Sequence, residues 1–387
     1  MKILVVHNFY QQAGGEDVEF RIECQLLRDG GHEVIEYTIH NSEVKDHSAV
    51  ALGLRTVWSR DSHREFTALM AREKPQIAHF HNTFPLLSPA VYFAARHGGA
   101  KVVQTLQNYR FLCPGATFFR AGQVCELCLE KRLKWPAIAH GCYRGSRLAT
   151  SAVTAMLAVH HTFGTYQNQV DAYIAVSKFV AQKAIAGGLP APKVHVSPNT
   201  VHPDPGVGTA SGNFALYLGR LSEEKGIRTL LAAWQDLGSA LPLKIAGDGP
   251  LSPLVREAAL HHPAIEWLGL QNRAQAMQLL KQARVLVVPS IWYEGFPLTA
   301  LEGLASGVPV IASNIGSLAI GITPGVTGFL AEPNQPHDLA TKVRDFLADP
   351  ALEAKMRLGA RREFEQNYTG QHTYNRLLDI YTKCLAA

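Results

Sequence analysis

Two glutamates, Glu294 and Glu302, stand in the stretch PSIWYEGFPLTALEG with seven residues between them. A Gly295-Phe296-Pro297 step between the two opens a helical pattern. Backbone N–H groups around residues 296–299, Leu298 among them, would present the favourable end of that helix's dipole to phosphate oxygens. Glu294, ahead of the helix, can accept hydrogen bonds from sugar hydroxyls, and Glu302, two turns in, can hold a ribose diol. Helix-flanking glutamates are commonplace, so the spacing alone decides little. Upstream, Gly219-Arg220-Leu221 follows an apolar run, and Glu224-Lys225-Gly226 stands at the mouth of the next helix. Arg220 and Lys225 would supply two cations suited to a diphosphate leaving group, whose charge grows as a sugar departs. The competing reading is a solvated pair capping a loop. Near the start, Gly14-Gly15 precedes Glu16-Asp17 and would let backbone approach a diphosphate at a helix N-terminus, although such a pair is ordinarily only a turn.

Other polar residues suit an acceptor. His81, in His79-Phe80-His81-Asn82 at a strand end, is one candidate, with a satisfied loop histidine as the alternative. Cys113, Cys125, Cys128 and Cys142 crowd one segment in a chain that starts without a secretion signal, so a disulfide framework is not expected. Four thiolates in a loop-rich insertion suit a structural zinc, with no open position for catalysis. A redox pair at Cys125 and Cys128, or packed thiols, are the alternatives. Lys131, Arg132, Lys134, Arg144 and Arg147 surround Trp135 and Tyr143 in this insertion, a composition that suits an anionic lipid-linked acceptor at a membrane face or a plain solvated face.

The elements that must hold these residues follow from periodicity. Short β-branched runs alternate with amphipathic helical stretches throughout, the pattern of an α/β protein with parallel sheets. Strands are expected at residues 3–7, 34–39, 76–80, 101–105, 172–176 and 194–197, then at 214–218, 243–246, 265–267, 285–288 and 308–312. The stretch TVHPDPGVGTASG between the two arrays reads as a linker. The expected organisation is thus an acceptor-side domain at 1–199 with a Cys-rich insertion at about 107–147, and a linker at 200–212. A nucleotide-sugar domain at 213–365 and a helix at 366–387 returning across the junction complete it. The 387 residues, 47% apolar and 18% charged, suffice for two cores. A net charge of +5 fits an anionic ligand or a membrane surface and falls short of a nucleic-acid footprint. The first apolar run is too short for a signal peptide, and no stretch reaches the roughly eighteen uncharged apolar residues of a membrane span. The expected location is cytoplasmic, including the inner membrane face.

The segments YLGRLSEEKGI, IAGDGPL, VVPSIWYEGFPLTALEGLASGVPVIAS and GVTGFLAEP, in this order and spacing, resemble glycosyltransferase family 4 over nearly the whole chain. The resemblance implies the GT-B architecture, two Rossmann-like doubly wound parallel-sheet domains facing a central cleft, and a retaining transferase that uses a UDP- or GDP-linked sugar donor without a catalytic metal. It implies that Arg220 and Lys225 bind the donor diphosphate, Glu294 contacts the transferred sugar, Glu302 the ribose, and peptide groups at 268–270, Leu270 included, the base. No Asp-x-Asp occurs in the chain. Relatives often carry histidine after the strand at 101–105, where this chain has Gln107, which can donate a hydrogen bond but cannot exchange a proton near neutral pH. The acceptor implied is a sugar or lipid-linked hydroxyl, in polysaccharide or glycoconjugate synthesis. Competing readings are a sugar-nucleotide epimerase or phosphorylase on the same architecture, and a zinc-stabilised protein binding nucleic acid or a partner through the basic insertion.

Overall fold

The computed structural model describes residues 1–11 and 14–387. The chain divides into two compact units, one of residues 1–118, 125–198 and 371–387, the other of residues 119–124 and 199–370. In the first, β1 (Lys2–Phe9), β2 (Glu33–His40), β3 (Ile77–Asn82), β4 (Lys101–Leu106), β7 (Ala172–Ala175) and β8 (Val194–Val196) form a six-stranded parallel sheet in the order β2-β1-β3-β4-β7-β8. Within the insertion, β5 (Phe119–Arg120) and β6 (Gln123–Val124) make a short antiparallel hairpin that the sequence pattern did not announce, and it groups with the second unit.

The second unit's sheet runs β11 (Ile265–Gly269), β10 (Leu243–Ala246), β9 (Ala215–Leu218), β12 (Val285–Val288), β13 (Val310–Ser313) and β14 (Gly328–Ala331), all parallel. Renumbered within the unit, that order is 3-2-1-4-5-6, the doubly wound arrangement whose switch point lies between its first and fourth strands, here β9 and β12. Successive strand side chains point to opposite faces, so neighbours in sequence feed different cores. Ala215, Tyr217, Val285 and Val287 pack into one cluster with Trp234 and Phe346. Leu216, Leu286 and Val288 pack into another with Leu304 and Phe364.

The helix Pro350–Asn367 belongs to the second unit, whereas Gly370–Ala386 lies in the first, apart from its initial residue. Leu377, Ile380 and Tyr381 on that last helix join Ile3, Val5, Phe20 and Ile77 in the first unit's core. No helix among the described residues is long and apolar enough to cross a membrane.

Candidate functional site

The second unit's switch point gathers the chain's charged motif residues. The loop after β9 is pinned to the loop after β10 by Leu221 N–H donating to the Asp248 carbonyl at 2.9 Å. It is tied to the loop after β12 by Ile291 N–H donating to the Glu224 carbonyl at 2.9 Å. Lys225 and Glu294, 69 positions apart, therefore meet: Lys225 Nζ lies 2.7 Å from Glu294 Oε1 and 5.3 Å from the centre of the Trp292 ring. Ser290 Oγ donates to the same Oε1 at 2.7 Å, and Ser317 Oγ donates to the Glu294 backbone carbonyl at 2.8 Å. Glu294 is buried, with 5% of its surface accessible. A carboxylate this deep requires such partners, since an uncompensated buried charge is strongly destabilising.

Arg220 is exposed and pairs with no carboxylate among the described residues, while its backbone carbonyl accepts from Tyr217 Oη at 2.8 Å. The expected two cations thus differ: Arg220 is available to an anionic ligand, whereas Lys225 is already held by the glutamate. The helix Leu298–Ala305 starts at Pro297 with no side-chain cap, leaving its first N–H groups for another acceptor. Gly295 precedes Phe296, which is a core residue, and the Phe296 carbonyl accepts from Asn199 Nδ2 at 3.1 Å.

Glu302 is not a lone acceptor. Arg273 Nη1 lies 3.1 Å from its Oε1, and burial raises the carboxyl's pKa above the usual range despite that neighbour. Leu270, just after β11, is 78% exposed. The Leu268 carbonyl accepts from Gln271 Nε2, and the Gly269 carbonyl from Gly247 N–H.

In the first unit, Gly14 and Gly15 do open a helix, Gly15–Asp29, with Gly14 as its N-cap. The Gly14 N–H is spent internally, however, donating to Asp17 Oδ2 at 2.9 Å, while His7 Nε2 lies 2.7 Å from Asp17 Oδ1. Burial opposes ionisation of Asp17, but these partners outweigh it and lower its pKa. Gly14 therefore contributes no vacant amide to a diphosphate, and its capping carboxylate would repel one.

A small cavity of about 30 Å³ lies at the C-terminal ends of β3 and β4, lined by Asn82, Gln104, Gln107, Asn108, Arg110 and Phe111 among others. The Gln107 Nε2 there is buried and makes no hydrogen bond among the described residues. Asn108 Nδ2 donates to Glu16 Oε1 at 2.9 Å, and the Arg110 guanidinium sits 4.2 Å from the Phe84 ring centre. His81, the acceptor-side candidate at a strand end, is a buried residue near the end of β3 that touches this cavity, with Nε2 3.2 Å from Glu23, rather than the loop histidine of the alternative reading. Arg110, Asn108, Trp292 and Ser290 were not among the expected site residues. The signal for the last two lay inside the Ser290-Ile291-Trp292-Tyr293-Glu294 loop, where only the glutamate was read.

All six cysteines are thiols. Cys113, Cys128 and Cys142 are neighbours: burial first, then the charges of the other two, push the Cys128 thiol up to about 11. The four sulfurs of Cys113, Cys125, Cys128 and Cys142 nonetheless do not reach mutual ligand distance. Among the described residues, the cluster that does is Glu23, His79 and His81. Lys134, expected on a basic surface, is instead 2% exposed, its Nζ donating to the Cys128 and Leu129 carbonyls at 2.8 and 3.1 Å.

Comparison with known proteins agrees with this geometry. Residues 23–205 match the model for Glycosyltransferase Family 4, and residues 208–363 match that for Glycosyl transferases group 1. Over 172 residues the chain is 34% identical to glycogen synthase of Mycobacterium tuberculosis, covering 43% of this chain and 41% of that one. It is 31% identical over 172 residues to D-inositol 3-phosphate glycosyltransferase of Streptomyces avermitilis, covering 42% and 36%. The chain thus spans about two fifths of the length of the curated relatives it matches. Sucrose-phosphate synthase from Thermosynechococcus elongatus superimposes with a TM-score of 0.74 at 19% identity, over 100% of this chain and 99% of that one. Anabaena HepE in complex with UDP does so at 0.70 and 16%, over 99% and 100%. With its two six-stranded parallel sheets of the GT-B class and a family match to each half, the chain belongs to glycosyltransferase family 4.

Proposed function

We propose that this chain is a retaining glycosyltransferase that moves a sugar from a UDP- or GDP-linked donor to an acceptor hydroxyl of a sugar or lipid-linked glycan, without a catalytic metal. The observation that carries the reading is the Lys225–Glu294 pair at the second unit's switch point, flanked by the unpaired Arg220 and the uncapped helix at Leu298. Arg220, Lys225 and the helix N–H groups neutralise the diphosphate as the bond from the anomeric carbon to the phosphate oxygen breaks. The acceptor oxygen forms its new bond on the face the nucleotide leaves. Glu294 is already engaged by an ammonium and a hydroxyl, so the acceptor's proton is assigned to the departing phosphate oxygen, and the carboxylate is assigned to the sugar hydroxyls. Glu302 receives the ribose together with Arg273, and the acceptor is assigned to the Gln107 and Arg110 cavity of the first unit. UDP in the HepE structure supports a nucleotide donor.

Thermal-shift screening against UDP, GDP, ADP and their sugars tests this reading. One nucleotide at about 100 times its Kd should stabilise the chain by about 2.7 kcal/mol, equally with and without EDTA. Stabilisation by none of them, or only with a divalent ion present, would refute it.

A peripheral membrane site belongs to the same proposal. The helices Ala49–Val57 and Arg147–Thr162 pack closely, with a Cβ added at Gly53 meeting that of Ala152 at 3.5 Å. Val50, Leu54, Leu148 and Phe163 stand 70–75% exposed on or at the ends of these helices, and Arg147 opens the second beside Leu148, an apolar and basic composition suited to anionic lipid. Cosedimentation with phosphatidylglycerol vesicles should fall at least tenfold in a Leu148→Glu, Phe163→Glu variant. Equal sedimentation of the two proteins would count against the face. The zinc expected at Cys113, Cys125, Cys128 and Cys142 is also kept as a proposal, one that needs the sulfurs to draw together, with Cys113 and Cys142 both packed beside Gly115 as its support.

A further inference from the structure

The first unit's core contains a polar cluster that sugar transfer does not use. His79 and His81 are two apart on β3 and so project to the same face, where the strand's other inward residue, Ile77, packs in an apolar cluster. Glu23, in the middle of the helix Gly15–Asp29, faces them. All three are buried, at 4%, 0% and 3% exposure for Glu23, His79 and His81.

Glu23 Oε2 lies 3.2 Å from His81 Nε2 and 3.6 Å from His79 Nδ1, and the three ligand atoms all fall within 4.8 Å of one another. Two ligands bound at about 2.0–2.1 Å to a tetrahedral zinc stand roughly 3.3 Å apart. The two separations to Glu23 match that geometry. The 3.2 Å contact is within hydrogen-bonding distance but is not directed as one: neither Glu23 Oε2 nor either His81 ring nitrogen makes a well-directed hydrogen bond among the described residues. Buried polar atoms are rarely left so. His79 is oriented as a ligand would be, with Nε2 2.7 Å from Thr105 Oγ1, the outer hydrogen bond that fixes a metal-bound imidazole. Tyr381 Oη, from the last helix, is hydrogen-bonded to His79 Nδ1 at 2.7 Å, so an ion at that nitrogen takes the place of this bond and leaves the hydroxyl beside it.

We propose that Glu23, His79 and His81 bind a divalent transition-metal ion of the zinc class as a structural centre, linking β3, the first helix and, through Tyr381, the C-terminal helix. Its closed surroundings fit a role in holding the fold, and it is distinct from the cysteine cluster in both ligands and position. It supplies no charge to the diphosphate site of the second unit.

The test uses the full chain, from cells grown with added zinc and purified without chelator or immobilised-metal resin. A zinc-edge anomalous difference map of its crystals should show a peak bonded to Glu23, His79 and His81 at about 2.0–2.2 Å. Signal at the cysteines would appear at a separate place and leave this result unaffected. His81→Asn protein should contain one metal equivalent per chain less than the parent. A map with no peak among the three side chains overturns the proposal, the contact then being a buried carboxylate–imidazole pair, and so does an unchanged metal content in folded His81→Asn protein. If that variant fails to fold, the map of the parent decides alone.

Discussion

Replacing Glu294 with glutamine is expected to lower kcat/KM about 10²–10³-fold, while affinity for the free nucleotide changes less than threefold. The magnitude follows from removing one preorganised charged group from a desolvated site, about 3–4 kcal/mol of transition-state stabilisation. The split between turnover and binding follows from geometry. Oε1 orients Lys225 at 2.7 Å and takes Ser290 at 2.7 Å, and the carboxylate is assigned to the sugar, which the free nucleotide lacks. Glutamine keeps the shape and one acceptor, so the chain should still fold, as a thermal midpoint within a few degrees of the parent would verify. Turnover within threefold of the parent would remove Glu294 from the chemistry. A matching loss of nucleotide affinity would make it a support for Lys225 alone.

The second large effect is expected at Gly226→Ala. Gly226 has φ +73°, and a Cβ there would stand 1.8 Å from the Pro289 carbonyl oxygen. That contact is backbone against backbone, so no side chain can rotate away. Pro289 also begins the loop that presents Glu294, so the clash pushes directly on the site. Strain and displacement together should destabilise the protein by more than about 3 kcal/mol, lowering the midpoint of thermal unfolding by roughly 10 °C. Gly206→Ala is the matched control: φ is +72° with nothing within 4 Å of the added carbon, so only the left-handed conformation is penalised, by about 1 kcal/mol. Equal losses in the two variants would show that the close approach to Pro289 has no effect.

What could be read from the sequence was what local chemistry determines. The strands at 3–7, 101–105 and 285–288 are short β-branched runs between turn signals, and they appear as β1, β4 and β12. β14, Gly328–Ala331, was missed as a strand because it begins with glycine and carries no β-branched residue. Partnerships were harder to read. Lys225 and Glu294 were each assigned to a diphosphate site, but their mutual ion pair depends on β9 lying beside β12, a fact of strand order that no local period encodes. Arg273 against Glu302, and Asp17 taking the Gly14 amide, likewise reassigned groups expected to await a ligand. Glu23 drew no notice as one of several polar residues in a helix. It became conspicuous once the helix placed it against two histidines more than fifty positions away.

The measurement closest to the central claim is calorimetric binding of the nucleotide diphosphate selected in the thermal screen, in EDTA and then in magnesium, to the parent and to an Arg220→Ala, Lys225→Ala variant. Two charge-assisted contacts contribute about 1.5–3 kcal/mol each. The variant should therefore bind roughly 10²–10³-fold more weakly, while the parent's Kd stays within twofold between the two buffers. Binding by the parent that disappears in EDTA, or a variant whose Kd equals the parent's, would contradict the claim that side-chain cations of the second unit hold the phosphates.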